Sequence, residues 1–243
     1  MASEYLKWKY RDVKPDEPPP ERTRKEKLAN WFHYNKWWIV VWAVLLFSVG
    51  SIVWNALGIG QVRPDYVFAY VGDAALPGDC AAALEASLAA LGQDVNGDGR
   101  VVVELRQYTS NAGSEDTMMY GYASDVTLIA DITNGDSYFF LLEDPAGFQR
   151  AYQALAGPDG SLPEGDDRGI DGRVFPWSGC PVLAGLELGG FEENYFGQSI
   201  TGDNQELLSG LYFGRRGFYD EKQAAKQGAN EALWELLTEG AVS

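Results

Sequence analysis

The sharpest chemistry in the sequence lies in six residues, Asp94-Val95-Asn96-Gly97-Asp98-Gly99. Oxygen-bearing side chains at alternate positions, closed by a glycine, form the front half of a calcium-binding loop: the oxygens converge on the ion and the glycine makes the turn. The back half departs from that pattern. The twelfth position, which should bring a bidentate carboxylate, is Leu105, and Glu104 stands one place early. A tight turn made of residues that accept left-handed backbone accounts for the same letters. The turn is the reading expected here, with Asp94, Asn96 and Asp98 as the metal-site alternative.

Other chemistries are limited by what is missing. The single histidine, His33, precedes a long apolar run, so the 183 residues from Gln61 onward contain no imidazole. Ser-His-Asp and Cys-His nucleophile systems and His-bearing zinc sites are therefore excluded there. No phosphate-cradling glycine loop is present, and no cofactor is implied. Carboxylates are abundant enough for a glycosidase-like pair, but abundance alone selects none of them. Glu143-Asp144 is better explained by helix capping, since Pro145 follows. Trp177, Phe191, Tyr195, Phe196, Tyr212, Phe213 and Phe218 are expected in a core rather than lining a sugar or peptide groove. The two cysteines, Cys80 and Cys180, allow either a disulfide or two buried thiols.

The element that must position everything else runs from Trp37 to Trp54, WWIVVWAVLLFSVGSIVW, without a charged residue. Eighteen helical residues at ~1.5 Å each give about 27 Å, close to the ~30 Å hydrocarbon core of a bilayer. Asn55 interrupts the run, and Ala56, Leu57 and Ile59 can lengthen it. Trp31, Trp37, Trp38 and Trp54 bracket it like the aromatic belts of a spanning helix. Of the chain's 19 basic and 35 acidic residues, nine and six precede Trp37, giving net +3; the remainder carries net −19. Basic flanks stay in the cytoplasm. The expected organisation is a cytoplasmic tail over 1–36, a transmembrane helix over 37–57 with its N-terminus inside, and an extracytoplasmic domain over 61–243. The basic stretch is too long for the n-region of a cleaved leader, and the apolar run too long for its h-region. An uncleaved signal anchor is expected instead. So acidic a domain argues against nucleic acid as a partner.

Beyond the span the pattern is that of a layered α/β domain. Asp65–Val71 reads as a strand. Asp79 is placed to cap a helix whose Cys80, Leu84, Leu88 and Leu91 share one face. Val101–Leu105 reads as a strand buried on both sides. Ser114 opens a helix ending near Asn134-Gly135, with Tyr122, Val126 and Ile129 at helical spacing; alternation at Val126, Leu128, Ala130 and Ile132 offers a strand instead, and the helix is preferred. Tyr138–Leu142 is a strand, and Asp144-Pro145 starts a helix carrying Phe148, Tyr152 and Leu155. The order β-α-β-α-β-α predicts a mostly parallel sheet. Gly157–Arg173 reads as a loop, Val182–Leu186 and Leu208–Phe213 as strands. Leu233, Trp234, Leu236 and Leu237 read as the apolar cluster of a final helix. The segment before the span is polar, with Pro15, Pro18, Pro19 and Pro20 marking it as a tail.

Two resemblances accompany this reading. Val126–Gln149, with Gly135-Asp136 and Glu143-Asp144, resembles a pattern in bacterial extracellular solute-binding proteins, in which a strand delivers an acidic residue to the ligand cleft. Asp65–Leu105 is compatible with the first lobe of such a protein, and a chain of this size holds at most part of the two lobes. The whole chain is also similar to a group of uncharacterised single-pass membrane proteins of Gram-positive bacteria. The similar segments are YLKWKYRDVKP (Tyr5–Pro15), WNALGIGQV (Trp54–Val62) and LLSGLYFGRRGF (Leu207–Phe218). These resemblances imply a membrane-anchored protein that binds a small ligand or an envelope protein partner without catalysis. The alternatives are a structural subunit of a cell-envelope membrane complex and, after that, a carboxylate-based hydrolase.

Overall fold

The computed structural model describes residues 2–9, 11, 23–56, 63–110, 115–162, 168–195, 198–218 and 221–242. The proline run, Leu57, Ile59, Ser114 and Phe196 lie outside them. The chain divides into two compact units, residues 1–61 and 62–243.

The first unit contains α1 (Ala2–Lys9) and α2 (Arg24–Ala56). Thr23 starts α2 with reciprocal capping: its backbone N–H donates to Glu26 Oε2 at 2.9 Å, the arrangement of a capping box. Among the described residues, α2 is the one helix long and apolar enough to cross a bilayer, over Arg24–Trp54. None of its most apolar window is buried.

The second unit is mixed α/β, built on a five-stranded sheet in the order β2-β1-β3-β7-β4. Its strands are β1 (Tyr66–Gly72), β2 (Val103–Thr109), β3 (Phe139–Leu142), β4 (Val174–Pro176) and β7 (Tyr212–Arg215). β1 pairs in parallel with β2 and with β3. β7 runs antiparallel between β3 and β4, so four of the five strands share a direction. A hairpin of β5 (Gly190–Tyr195) and β6 (Gln198–Asp203) stands apart from this sheet.

Both faces of the sheet are covered, which is why β1 and β3 at its centre are apolar. Phe68, Tyr70, Phe139, Leu141 and Phe213 form one face and pack with Cys80, Leu84 and Leu88 of α3 (Gly78–Leu91) and Leu233, Trp234 and Leu237 of α9 (Gly228–Leu237). Ala69, Phe140 and Leu142 form the other, with Leu128 of α4 (Glu115–Asn134) and Phe148 of α5 (Pro145–Tyr152). α3 and α4 thus lie on opposite faces.

Several expectations change. α3 is capped by Pro77 without a side-chain bond, and Asp79 is the second residue of the helix, where its charge favours the positive end of the helix. β2 starts at Val103 and forms the sheet edge, so its apolar beginning does not mean burial on both sides. Two of its outward backbone N–H groups are covered by side chains: Leu105 N donates to Glu85 Oε1 at 2.7 Å and Thr109 N to Ser124 Oγ at 2.8 Å. Such covers block edge-to-edge pairing. Val182–Leu186 is no strand. Pro181 pre-sets the backbone for the short helix α6 (Pro181–Ala184), and Leu183 is buried. In Leu208–Phe213 only the end is a strand. Asp203 caps α7 (Asn204–Leu208) by accepting from Glu206 N at 3.0 Å, and β7 begins at Tyr212. On α9, Leu236 faces outward. Trp177 and Phe213 are core residues, and Phe191, Tyr212 and Phe218 are half-buried.

Cys80 and Cys180 are free thiols, both fully buried in the same cluster. Burial pushes each thiol up to about 11, which keeps it protonated and unreactive at neutral pH.

Candidate functional site

From β1 the chain passes through α3 to β2 on one side, then through α4 on the opposite face to β3 on the other side. At β1 and β3 the two connections part, leaving an opening beyond the carboxyl ends of the strands. Open α/β sheets form their ligand crevices at this position. Here the opening is a crevice of about 360 Å³. Its floor is Val71–Asp73 from β1, Tyr108–Ser110 from β2 and Glu143-Asp144 from β3. Leu128, Ser124 and Asp125 of α4 form one wall, and Phe148, Ala151 and Tyr152 of α5 the other.

Neutral donors hold the floor in place. Glu143 accepts from the Tyr70 hydroxyl at Oε1 (2.6 Å) and from Asp73 N at Oε2 (2.7 Å). Burial, then the adjacent Glu143, raises the Tyr70 phenol well above its ordinary value, so it remains a donor. The Glu143 carboxyl lies over Gly72: a Cβ there would meet its Cδ at 2.6 Å, so a side chain at Gly72 would push Glu143 off the floor. Asp73 accepts from Ser110 Oγ at 2.8 Å, which links the ends of β1 and β2. Asp144 caps α5, accepting from Gly147 N at 2.9 Å, and Pro145 fills the first helical position. Asp144 therefore has the capping role expected from the sequence and also lines the crevice floor.

The sequence-derived metal candidate is elsewhere, in the turn that enters the amino end of β2. Asp94 accepts from Gly97 N (2.6 Å) and Gly99 N (2.8 Å), Asn96 from Asp98 N (2.9 Å), and Asp98 from Arg100 N (2.9 Å). Gly97 and Gly99 have φ of 76° and 85°, the left-handed backbone that glycine accepts without strain. Among the described residues no group of three or more His, Cys, Asp or Glu side chains is arranged to hold a metal. Gly135-Asp136 lies at the amino end of β3, where Asp136 pairs with Arg106 at 3.2 Å. Of the Gly135-Asp136 turn and the Glu143-Asp144 pair singled out in the sequence, only Glu143-Asp144 reaches the crevice.

Sequence reasoning missed Asp73, Ser110, Ser124, Asp125 and Tyr152. One signal was available for Asp73: it directly follows the glycine that ends the first parallel strand, the position from which open α/β sheets present ligand contacts. No protein-family model, curated protein or solved structure matches the chain. The fold and the crevice therefore carry the functional reading by themselves.

Proposed function

We propose that this chain is a membrane-anchored extracytoplasmic binding protein. α2 serves as an uncleaved anchor with its N-terminus in the cytoplasm, and the α/β unit takes up a small ligand in the crevice without transforming it. The crevice at the point where the strand order diverges carries this reading. The length and apolarity of α2 and the contrast of net +3 before Trp37 with −19 after it support the placement. The crevice carboxylates favour holding over catalysis. Glu143 is engaged by Tyr70 and a backbone N–H, Asp144 by the helix it caps, and none of the described lining residues is an imidazole or a lysine.

The test is a small-solute library screened by thermal unfolding of the full chain in nanodiscs. A subset of solutes should raise Tm, and Ala151→Trp, which fills the crevice from α5, should abolish the rise. A library without a stabilising solute, or one whose effect survives Ala151→Trp, overturns the reading.

One observation favours the second reading, a structural subunit of an envelope complex. Tyr122, Val126 and Ile129 form an exposed apolar stripe on α4, with Tyr122 73% accessible. Cross-linking from a photoreactive residue at position 126 in intact cells would capture a partner protein if this face assembles, and none otherwise.

A further inference from the structure

We infer that the crevice selects an organic cation, an ammonium group on an aliphatic body; this rests on the crevice being the binding site. Among the described residues, four carboxylates line it, Asp73, Asp125, Glu143 and Asp144, and none of the described lining residues is Lys, Arg or His. The hydrogen bonds that Glu143, Asp73 and Asp144 accept come from hydroxyl and backbone donors. Such donors fix geometry but leave the negative charge uncompensated. This contrasts with the network around β2, where Arg106 pairs with Glu104, Asp131 and Asp136. An anionic ligand would meet repulsion from all four carboxylates, and a neutral one would desolvate them without compensation.

The rest of the lining determines what accompanies the charge. Val71, Leu128, Phe148 and Tyr152 give the crevice an apolar wall with two aromatic rings. Aromatic faces attract ammonium groups, and apolar walls bury methylenes at about 0.8 kcal/mol each. A bare metal ion would use neither feature and would leave most of the 360 Å³ unfilled. The net −19 of the chain beyond residue 36 also draws cations toward the crevice from solution.

Three probes of equal chain length and different charge separate the possibilities: 1,5-diaminopentane, 1,5-pentanediol and glutarate. They are titrated calorimetrically into the full chain in phosphatidylcholine nanodiscs. The diamine should bind, more weakly as salt rises, and the diol and glutarate should give no heat. The paired substitution Asp73→Asn with Asp125→Asn keeps the Ser110 hydrogen bond and removes two charges. It should weaken diamine binding by about tenfold or more, the effect of ~1.4 kcal/mol. Glu192→Gln with Glu193→Gln removes two charges from the hairpin instead and should leave affinity unchanged.

Diol or glutarate binding as tightly as the diamine, with Ala151→Trp abolishing it, overturns the cation class while the crevice remains a binding site. Diamine binding that survives the crevice substitutions but falls with the hairpin pair also overturns it, because the cation then sits on general surface charge. No heat from any of the three overturns the cation class, and the library screen with Ala151→Trp then decides separately whether the crevice binds anything.

Discussion

Asp65 ties the turn after α3 to the start of the sheet. Its Oδ1 accepts from Val95 N (2.8 Å) and Asn96 N (3.0 Å), and its Oδ2 from Val102 N (2.8 Å). Burial opposes ionisation, but these donors outweigh it and hold the carboxyl below its ordinary 3.8. A carboxylate whose folded value is depressed stabilises the fold above its unfolded value and loses that contribution as pH falls through the folded one. Asp65→Asn should therefore lower stability by a constant amount above about pH 5, with the difference from wild type shrinking below about pH 4. Urea unfolding at a series of pH values measures this; a difference that does not vary with pH contradicts it. In the same turn, Asp98 needs only an oxygen to accept from Arg100 N, and asparagine has one. Asp98→Asn should change stability by no more than about 0.5 kcal/mol, and millimolar calcium should leave Tm unchanged. A rise of several degrees in calcium, lost in the variant, would instead reveal a cation held by the turn.

At the scale of the element, α4 shows what sequence periodicity leaves open. Asn134-Gly135 correctly ends the helix: Gly135 takes φ of 79° and its N–H returns to Asp131 O at 2.9 Å, as in a glycine C-terminal stop. The spacing of Tyr122, Val126 and Ile129 belongs to a real helix, but these residues face solvent. The face turned to the sheet carries Leu128, 1% accessible, and Asp131, 3% accessible. Asp131 accepts from Ser137 N (2.9 Å), Ser137 Oγ (2.7 Å) and the Tyr108 hydroxyl (2.5 Å), so a carboxylate fills a place where an apolar side chain would be expected. Leu128→Ala should cost about 2–5 kcal/mol, as for other large-to-small core changes. Val126→Ser should stay within about 0.5 kcal/mol. Denaturant unfolding of the two variants distinguishes the faces; equal losses would mean that the stripe is covered in the native protein.

For the whole molecule, both hydrophobic clusters lie within residues 66–241. A fragment of residues 61–243 should therefore fold without α2 and melt in one sigmoidal transition seen alike by calorimetry and near-ultraviolet circular dichroism. Non-coincident or absent transitions would show that the unit depends on α2. Protease added to intact protoplasts should digest this unit and leave a tagged N-terminus protected. Protection of the C-terminal part instead would reverse the orientation.

The chain by itself determined what depends on neighbours along it. The apolar run at Trp37–Trp54, the uneven charge around it, the β-α-β-α-β order and the Asp144-Pro145 helix start are all written in spacings of a few residues. A helix turn, a cap and a hydropathy window are interactions of that range. Only the tertiary structure decided the strand order, the edge position of β2, the hairpin at Gly190–Asp203 and the outward face of α4. It also decided the crevice, because Asp73, Ser110, Asp125, Glu143 and Tyr152 meet only after β2 and β3 have paired on either side of β1. That pairing is set by which apolar faces can be buried together, a property of segments tens of residues apart that no local spacing records.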